Sequence, residues 1–312
     1  MVVSIRNLTK RYGDLTALDD FSLGIGEGEV LGLLGPNGSG KTTAINCMLS
    51  LLKYERGTVE LFGRPMQPDA YDIKRDIGIV MQNVAVFDEL TVAENVDYFC
   101  GLYIADKRAR RPLVEEAIAA TGLSDFRKFY PKKLSGGLLR RLNIACGIAH
   151  KPKLIVMDEP TVGVDPQSRN NILEGILKLN AGGATVLYTS HYMEEVEQIC
   201  SRIAIMDRGR IIALGTNAEL KNMAGAGEKI TVEVFSADRG FLAGLREMPS
   251  VISAECANGT LLVKSARGGN CLLGVLDHLK SCGVAFGKVY SELPTLNDVF
   301  LEITGKNLRD EG

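Results

Sequence analysis

The stretch Gly35-Pro-Asn-Gly-Ser-Gly-Lys-Thr-Thr43 constrains this chain more than any other. It follows the apolar run Val30 to Leu34 and precedes Ala44 to Leu52, where Ile45, Met48, Leu49 and Leu52 recur at helical spacing. Strand, glycine loop and helix in that order gather unpaired backbone N–H groups at a helix N-terminus, which favours an anion. The loop fits G-x-x-x-x-G-K-[ST], in which Lys41 holds the β- and γ-phosphates and Thr42 offers its hydroxyl to Mg²⁺. Average residue frequencies put a chance match on the order of one in a hundred. Gly35, Pro36, Asn37, Gly38, Ser39, Gly40, Lys41, Thr42 and Thr43 are therefore the candidate nucleotide contacts.

A phosphate loop needs a carboxylate on a neighbouring strand, and the apolar run Leu154 to Met157 delivers Asp158 and Glu159 at its end. Asp158 is suited to support Mg²⁺ and its waters. Glu159 is suited to orient and polarise an attacking water, a general-base role contributing roughly 10²–10⁴-fold. Leu134-Ser-Gly-Gly137 precedes the apolar-periodic segment Leu138 to Ala149, so Ser135, Gly136 and Gly137 would present a second set of backbone donors to an anion. His191 follows the strand pattern Ala184 to Thr189, where a phosphate-facing loop lies in a parallel α/β sheet.

Further strand patterns cover Val2 to Ile5, Ala17 to Leu23, Asp76 to Met81 and Ile203 to Met206. Residues 84–150 read as an inserted helical subdomain, opened by a capping box of Thr91 and Glu94. Beyond Gly225-Ala-Gly227 a second unit begins. Its order is β-α-β-β-α-β with a final helix capped by Thr295 and Asp298, the order of a ferredoxin-like unit. In that helix Leu296, Val299, Phe300 and Ile303 form one apolar stripe. The predicted architecture is an α/β core over residues 1–224, helical over about 84–150, followed by a small α+β domain over 228–305 with a regulatory or dimer-supporting role.

A chain of 312 residues, 46% hydrophobic and 24% charged, can bury two such cores and is neither disordered nor fibrous. The 36 basic and 38 acidic residues leave a net charge of -2, with no bulk attraction to nucleic acid. No apolar run approaches the roughly 20 residues of a membrane span, and no secretion signal is visible at the N-terminus. Seven cysteines without a Cys-x-x-Cys pair read as reduced, mostly buried thiols of a cytosolic protein. His150 reads as a helix C-terminal cap, His278 as structural, and Arg140-Arg141 as a solvated helix face.

The order of phosphate loop, Gln82, Leu134-Ser-Gly-Gly137, Asp158-Glu159, Val164-Asp165 and His191 resembles the ATP-binding subunits of ABC transporters over about residues 1–220. The resemblance implies a P-loop ABC ATPase core that binds ATP and Mg²⁺. It implies that Tyr12 stacks on adenine, that Gln82 senses Mg²⁺ and the membrane subunit, that Asp165 lies at a dimer interface and that His191 contacts the γ-phosphate. Leu138 stands where the family usually has Gln. The tail Thr295 to Gly305 is similar to the ending of drug- and lipid-exporter ATPases.

The resemblance implies a homodimer, or a pair with a close homologue, closed by ATP. It would drive export by a separate integral membrane permease from the cytoplasmic face of the membrane. Direct nucleic-acid contact is not expected. The rival reading is a soluble ABC-type ATPase acting on nucleic acid or ribosomes, against which stand the single cassette and the lack of a basic extension. A GTPase switch would need an Asn-Lys-x-Asp motif, which this chain lacks.

Overall fold

The computed structural model describes residues 1–223, 227–235, 240–266 and 271–305. They form two compact units, Met1 to Thr216 and Asn217 onward. The change of unit comes before helix Asn217–Met223, earlier than the glycine-rich break suggests, because that helix buries Leu220 and packs with helix Leu296–Thr304 of the second unit. Gly225 lies outside the described residues.

The first unit is built on a six-stranded sheet in the order Arg210–Gly215, Arg202–Asp207, Val30–Leu34, Thr185–Ser190, Leu154–Asp158 and Ile77–Val80. All pairings are parallel except that of the edge strand Arg210–Gly215. Strands Val30–Leu34, Leu154–Asp158 and Thr185–Ser190 are buried along their whole length, as their mostly apolar residues require of strands covered on both faces. Register sets Leu34 beside Ser190 and Asp158 beside Thr189, so three strands end at one edge. Ligands of open α/β sheets bind at that edge.

A second, antiparallel sheet is formed by Leu15–Ile25, Val3–Tyr12, Arg56–Leu61 and Arg64–Pro65. Strand Val3–Tyr12 runs well past the Val2 to Ile5 segment, because an irregular register with Asn7 at φ 49° carries the pairing through the polar residues. Helix Lys41–Met48 lies between the two sheets. One core joins Leu8, Phe21 and Leu61 of the second sheet to Ile45 and Met48 of the helix and to Leu31 and Leu154 of the first sheet.

Between strands Ile77–Val80 and Leu154–Asp158 come helices Val92–Gly101, Lys107–Ala120 and Gly136–Ile148. The first carries the full Thr91–Glu94 capping box. Arg140 lies on the third and is buried rather than solvated, donating to the carbonyls of Met81 and Gln82 at 3.3 and 2.6 Å. His150 is likewise no simple cap: it is buried, stacks on Tyr103 at 3.7 Å between ring centroids, and contacts the Ile77 carbonyl.

The second unit has one antiparallel sheet ordered Val251–Ala257, Thr260–Ser265, Lys229–Val234, Phe286–Glu292. With helices Phe241–Arg246 and Cys271–Ser281 this is the strand order of the ferredoxin-like split βαβ unit. Its separate core includes Ile230, Val232, Leu245, Leu261, Val275 and Leu279. The last strand starts at Phe286, since Val284 still closes the preceding helix through its N–H to the Leu279 carbonyl. In helix Leu296–Thr304 the Thr295–Asp298 box is complete; Leu296, Val299 and Phe300 are buried, whereas Ile303 stays 41% exposed.

Candidate active site

The phosphate loop runs from the end of strand Val30–Leu34 into helix Lys41–Met48. Gly40 sits at φ 106°, and a Cβ there would lie 2.6 Å from the Ala17 carbonyl, so glycine is needed on both counts. The Lys41 side chain curls back into the loop, donating to the carbonyls of Gly35 and Pro36 at 2.8 and 3.1 Å. Asn37, Gly38 and Thr42 form the exposed rim. Pro36 and Ser39 are buried, and the Ser39 hydroxyl has no hydrogen-bond partner. A buried orphan hydroxyl in a ring of backbone donors suits an oxyanion.

Thr42 Oγ1 donates to Asp158 Oδ2 at 2.8 Å. On the other carboxylate oxygen, Thr189 Oγ1 donates at 2.6 Å, and the same threonine accepts from the Glu159 amide at 2.9 Å. Thr189 thus ties the Asp158 carboxylate to the Glu159 backbone. Glu159 holds a left-handed backbone conformation, φ 47°, uncommon outside glycine and found where the surroundings over-determine it. Its Oε1 lies 3.2 Å from Lys41 Nζ and its Oε2 3.3 Å from His191 Nδ1. Acid, lysine and histidine, spread over 150 residues of sequence, meet at the sheet edge.

The donors suited to a hard divalent cation here are the Thr42 hydroxyl and the Asp158 carboxylate, both oxygen and both at the loop, which fits Mg²⁺ shared with phosphate and water. Among the described residues no cluster of three or more His, Cys, Asp or Glu forms a cation cage.

Other predicted residues stand apart. Ser135 caps helix Gly136–Ile148, its Oγ accepting from the Leu138 N–H at 3.3 Å, and both Ser135 and Gly136 face solvent. Gly137 is buried where a Cβ would lie 2.3 Å from Ser168 Oγ, so a side chain would collide with the helix that Asp165 caps. Asp165 accepts from the Ser168 N–H, which holds its carboxyl below the usual range. Within one chain Ser135 makes no hydrogen bond to the phosphate loop. Tyr12, at the end of its strand, is 47% exposed with Lys10 Nζ 5.2 Å from its ring centroid. The Gln82 side chain is exposed and hydrogen-bonds to neither Thr42 nor Asp158.

Sequence reasoning missed Thr189 and Glu195. Thr189 lies next to last in a buried strand, beside an acid, a signal visible only once the register is known. Glu195 is buried in helix Met193–Ile199, four residues after His191.

The profile of the ABC transporter family matches residues 18–162. The linearmycin resistance ATP-binding protein of Bacillus subtilis is 35% identical over 99% of this chain and 100% of its own length. The Nod factor export ATP-binding protein I of Ralstonia nicotianae is 35% identical over 99% of this chain and 95% of its own. Among solved structures, a dimeric ATP-binding cassette in a post-hydrolysis state, bound to ADP and phosphate, superposes with a TM-score of 0.62 at 28% identity, covering 69% of this chain and 98% of that one. Neither this set of relatives nor the fold supports an ATPase acting on nucleic acid or ribosomes. No helix among the described residues is long and apolar enough to cross a membrane. The chain belongs to the ABC transporter family, as one of its ATP-binding, ATP-hydrolysing subunits.

Proposed function

We propose that this subunit powers export by a separate integral membrane permease, working from the cytoplasmic face of the membrane as a homodimer closed by ATP. The direction rests on relatives over nearly the whole chain whose names state resistance or export. The reading of the site is carried by one observation: Thr42, Asp158, Thr189, Glu159, Lys41 and His191 form a continuous set of contacts at one sheet edge.

In this reading the loop amides and Lys41 take the β- and γ-phosphates, and Tyr12 offers its exposed ring to adenine. Thr42 and Asp158 would hold Mg²⁺, together with Gln82 from the loop after strand Ile77–Val80. When bound, Mg²⁺ neutralises phosphate charge. Glu159 accepts the proton of the attacking water, and its backbone, fixed by Thr189, keeps the carboxylate aimed at the in-line position. His191 sits on the other side of Glu159 and contacts the γ-phosphate.

Ser135, Gly136 and Gly137 come from the second copy. They lie at a helix N-terminus where Ser135 and Gly136 face solvent, and Ser135 is not engaged with the phosphate loop of its own chain, so a head-to-tail pair completes two sites by one two-fold axis. ATP then joins the subunits and hydrolysis separates them, the two-state element that transport needs. The second unit supports the dimer or regulates it. Co-purification with a polytopic membrane protein and ATP-dependent efflux from vesicles containing both test the proposal; ATP hydrolysis with no membrane partner and no efflux would overturn it.

A further inference from the structure

Behind the acid pair lies a second buried polar cluster, tied to the phosphate loop through the Ser190 carbonyl, which accepts from the Gly35 N–H at 3.4 Å. Glu195 is 1% exposed. Three hydroxyls converge on its Oε2: Ser190 at 2.7 Å, Tyr188 at 2.8 Å and Thr161 at 2.9 Å. Its Oε1 forms an ion pair with Arg169 Nε at 3.2 Å, without a hydrogen bond between the two atoms. The Arg169 guanidinium covers the Tyr192 ring at 4.7 Å, and the Tyr192 ring packs on that of His191 at 4.1 Å. Burial and the Glu195 charge together push the Tyr188 phenol well above its ordinary range, which keeps it a donor.

A buried carboxylate is expensive unless it is paired, and here three hydroxyl donors on Oε2 and the Arg169 cation beside Oε1 meet that cost, so such a cluster holds its members in one arrangement. The members are placed with consequence. Thr161 is two residues beyond Glu159, and Ser190 directly precedes His191. Arg169 belongs to helix Pro166–Ala181, the helix that Asp165 caps. One carboxylate therefore ties together the segments that carry the acid, the histidine and the helix whose cap the family resemblance sets at the subunit interface.

We propose that Glu195 is a positioning residue for hydrolysis, fixing Glu159 through Thr161 and His191 through Ser190 and the Arg169–Tyr192 stack. The inference rests on the reading that Glu159 and His191 act together at the γ-phosphate. The Arg169–Glu195 pair links the interface helix to both, so the acid and the histidine take up working geometry only when that helix is seated. Small displacements matter here, because an error of about 1 Å in a reacting group costs on the order of 100-fold in rate.

The test measures turnover, ATP affinity and thermal unfolding for Glu195→Gln, Arg169→Lys and the double variant, with Glu159→Gln and His191→Ala in parallel. Glu195→Gln is expected to lower kcat by roughly 10- to 100-fold while ATP affinity stays within about twofold of the parent, as a role in positioning rather than binding requires. Arg169→Lys, which keeps the charge but loses the planar stack on Tyr192, should lower kcat in the same direction. The two losses should not multiply in the double variant, since both break one connection. Parental kcat in a folded Glu195→Gln protein would overturn the inference, as would losses that multiply. If Glu195→Gln fails to fold, parental kcat in Arg169→Lys overturns it. Undiminished turnover in Glu159→Gln and His191→Ala would instead remove the reading of the site on which the inference stands.

Discussion

Lys41 Nζ lies 3.2 Å from Glu159 Oε1, so the glycine-loop lysine and the acid proposed to polarise water are partners of each other. Both side chains are largely buried, 5% and 8% exposed, where a charge pair is screened little by salt. In the proposed reading, phosphate oxygens would compete with Glu159 for Lys41 and free the carboxylate for water.

Glu159→Gln is expected to cut turnover by roughly 10²–10⁴-fold, the range of a lost general base. ATP affinity should hold or rise, because the amide no longer competes for Lys41 as an anion. Phosphate release and nucleotide titration check both halves, and a variant that hydrolyses ATP at the parental rate would remove Glu159 from the role.

Thr189→Val keeps the shape of the buried strand but leaves Asp158 Oδ1 and the Glu159 N–H without a partner they now share. Each orphaned buried group costs about 1–3 kcal/mol. Denaturant midpoints should fall accordingly, and turnover should fall with them as the acids lose their common anchor. A variant equally stable and equally active would show that the threonine does not orient the pair.

His150 gives the fold a sign for its pH dependence. Burial lowers its pKa from 6.5, outweighing the Ile77 carbonyl bond and the nearby Asp76 charge that favour the proton. The unfolded chain binds a proton below about 6.5 while the folded one still resists it, so stability falls as pH drops through that window and is flat above it. His150→Phe, which preserves the stack on Tyr103, should flatten this slope in urea unfolding between pH 7 and the lowered folded value. An unchanged slope would place the titration elsewhere.

The cores of the two units are separate, so a chain ending at Thr216 is expected to fold and to bind Mg-ATP. Dimer stability or coupling to the permease should weaken. Sedimentation and nucleotide titration of the shortened chain decide it, and loss of ATP binding in a folded protein would give the second unit a part in the site.

Much of this site was legible because phosphate chemistry leaves a local signature. The glycine loop, Thr42 and the acid pair each declare themselves within a few residues, and the capping boxes at Thr91 and Thr295 do so by spacing alone. What stayed hidden depends on register. Thr189 looks like any β-branched residue of a buried strand until Asp158 is known to lie beside it. Glu195 looks like one acid in a charged run, Glu194-Glu195, until the helix turns it inward. Arg140 misled for the converse reason: a basic pair on a helix suggests solvent, yet its guanidinium reaches the carbonyls of Met81 and Gln82.

The central claim is that each chain supplies half of two composite ATP sites, Lys41 from one copy and Ser135 from the other. Subunits inactivated at Ser135 and subunits inactivated at Lys41, each without ATPase activity alone, can be mixed and the heterodimers verified by two different affinity tags. Hydrolysis is predicted to return, since every such pair holds one site in which both elements are intact. Verified heterodimers that remain inactive would contradict the arrangement across the two-fold axis.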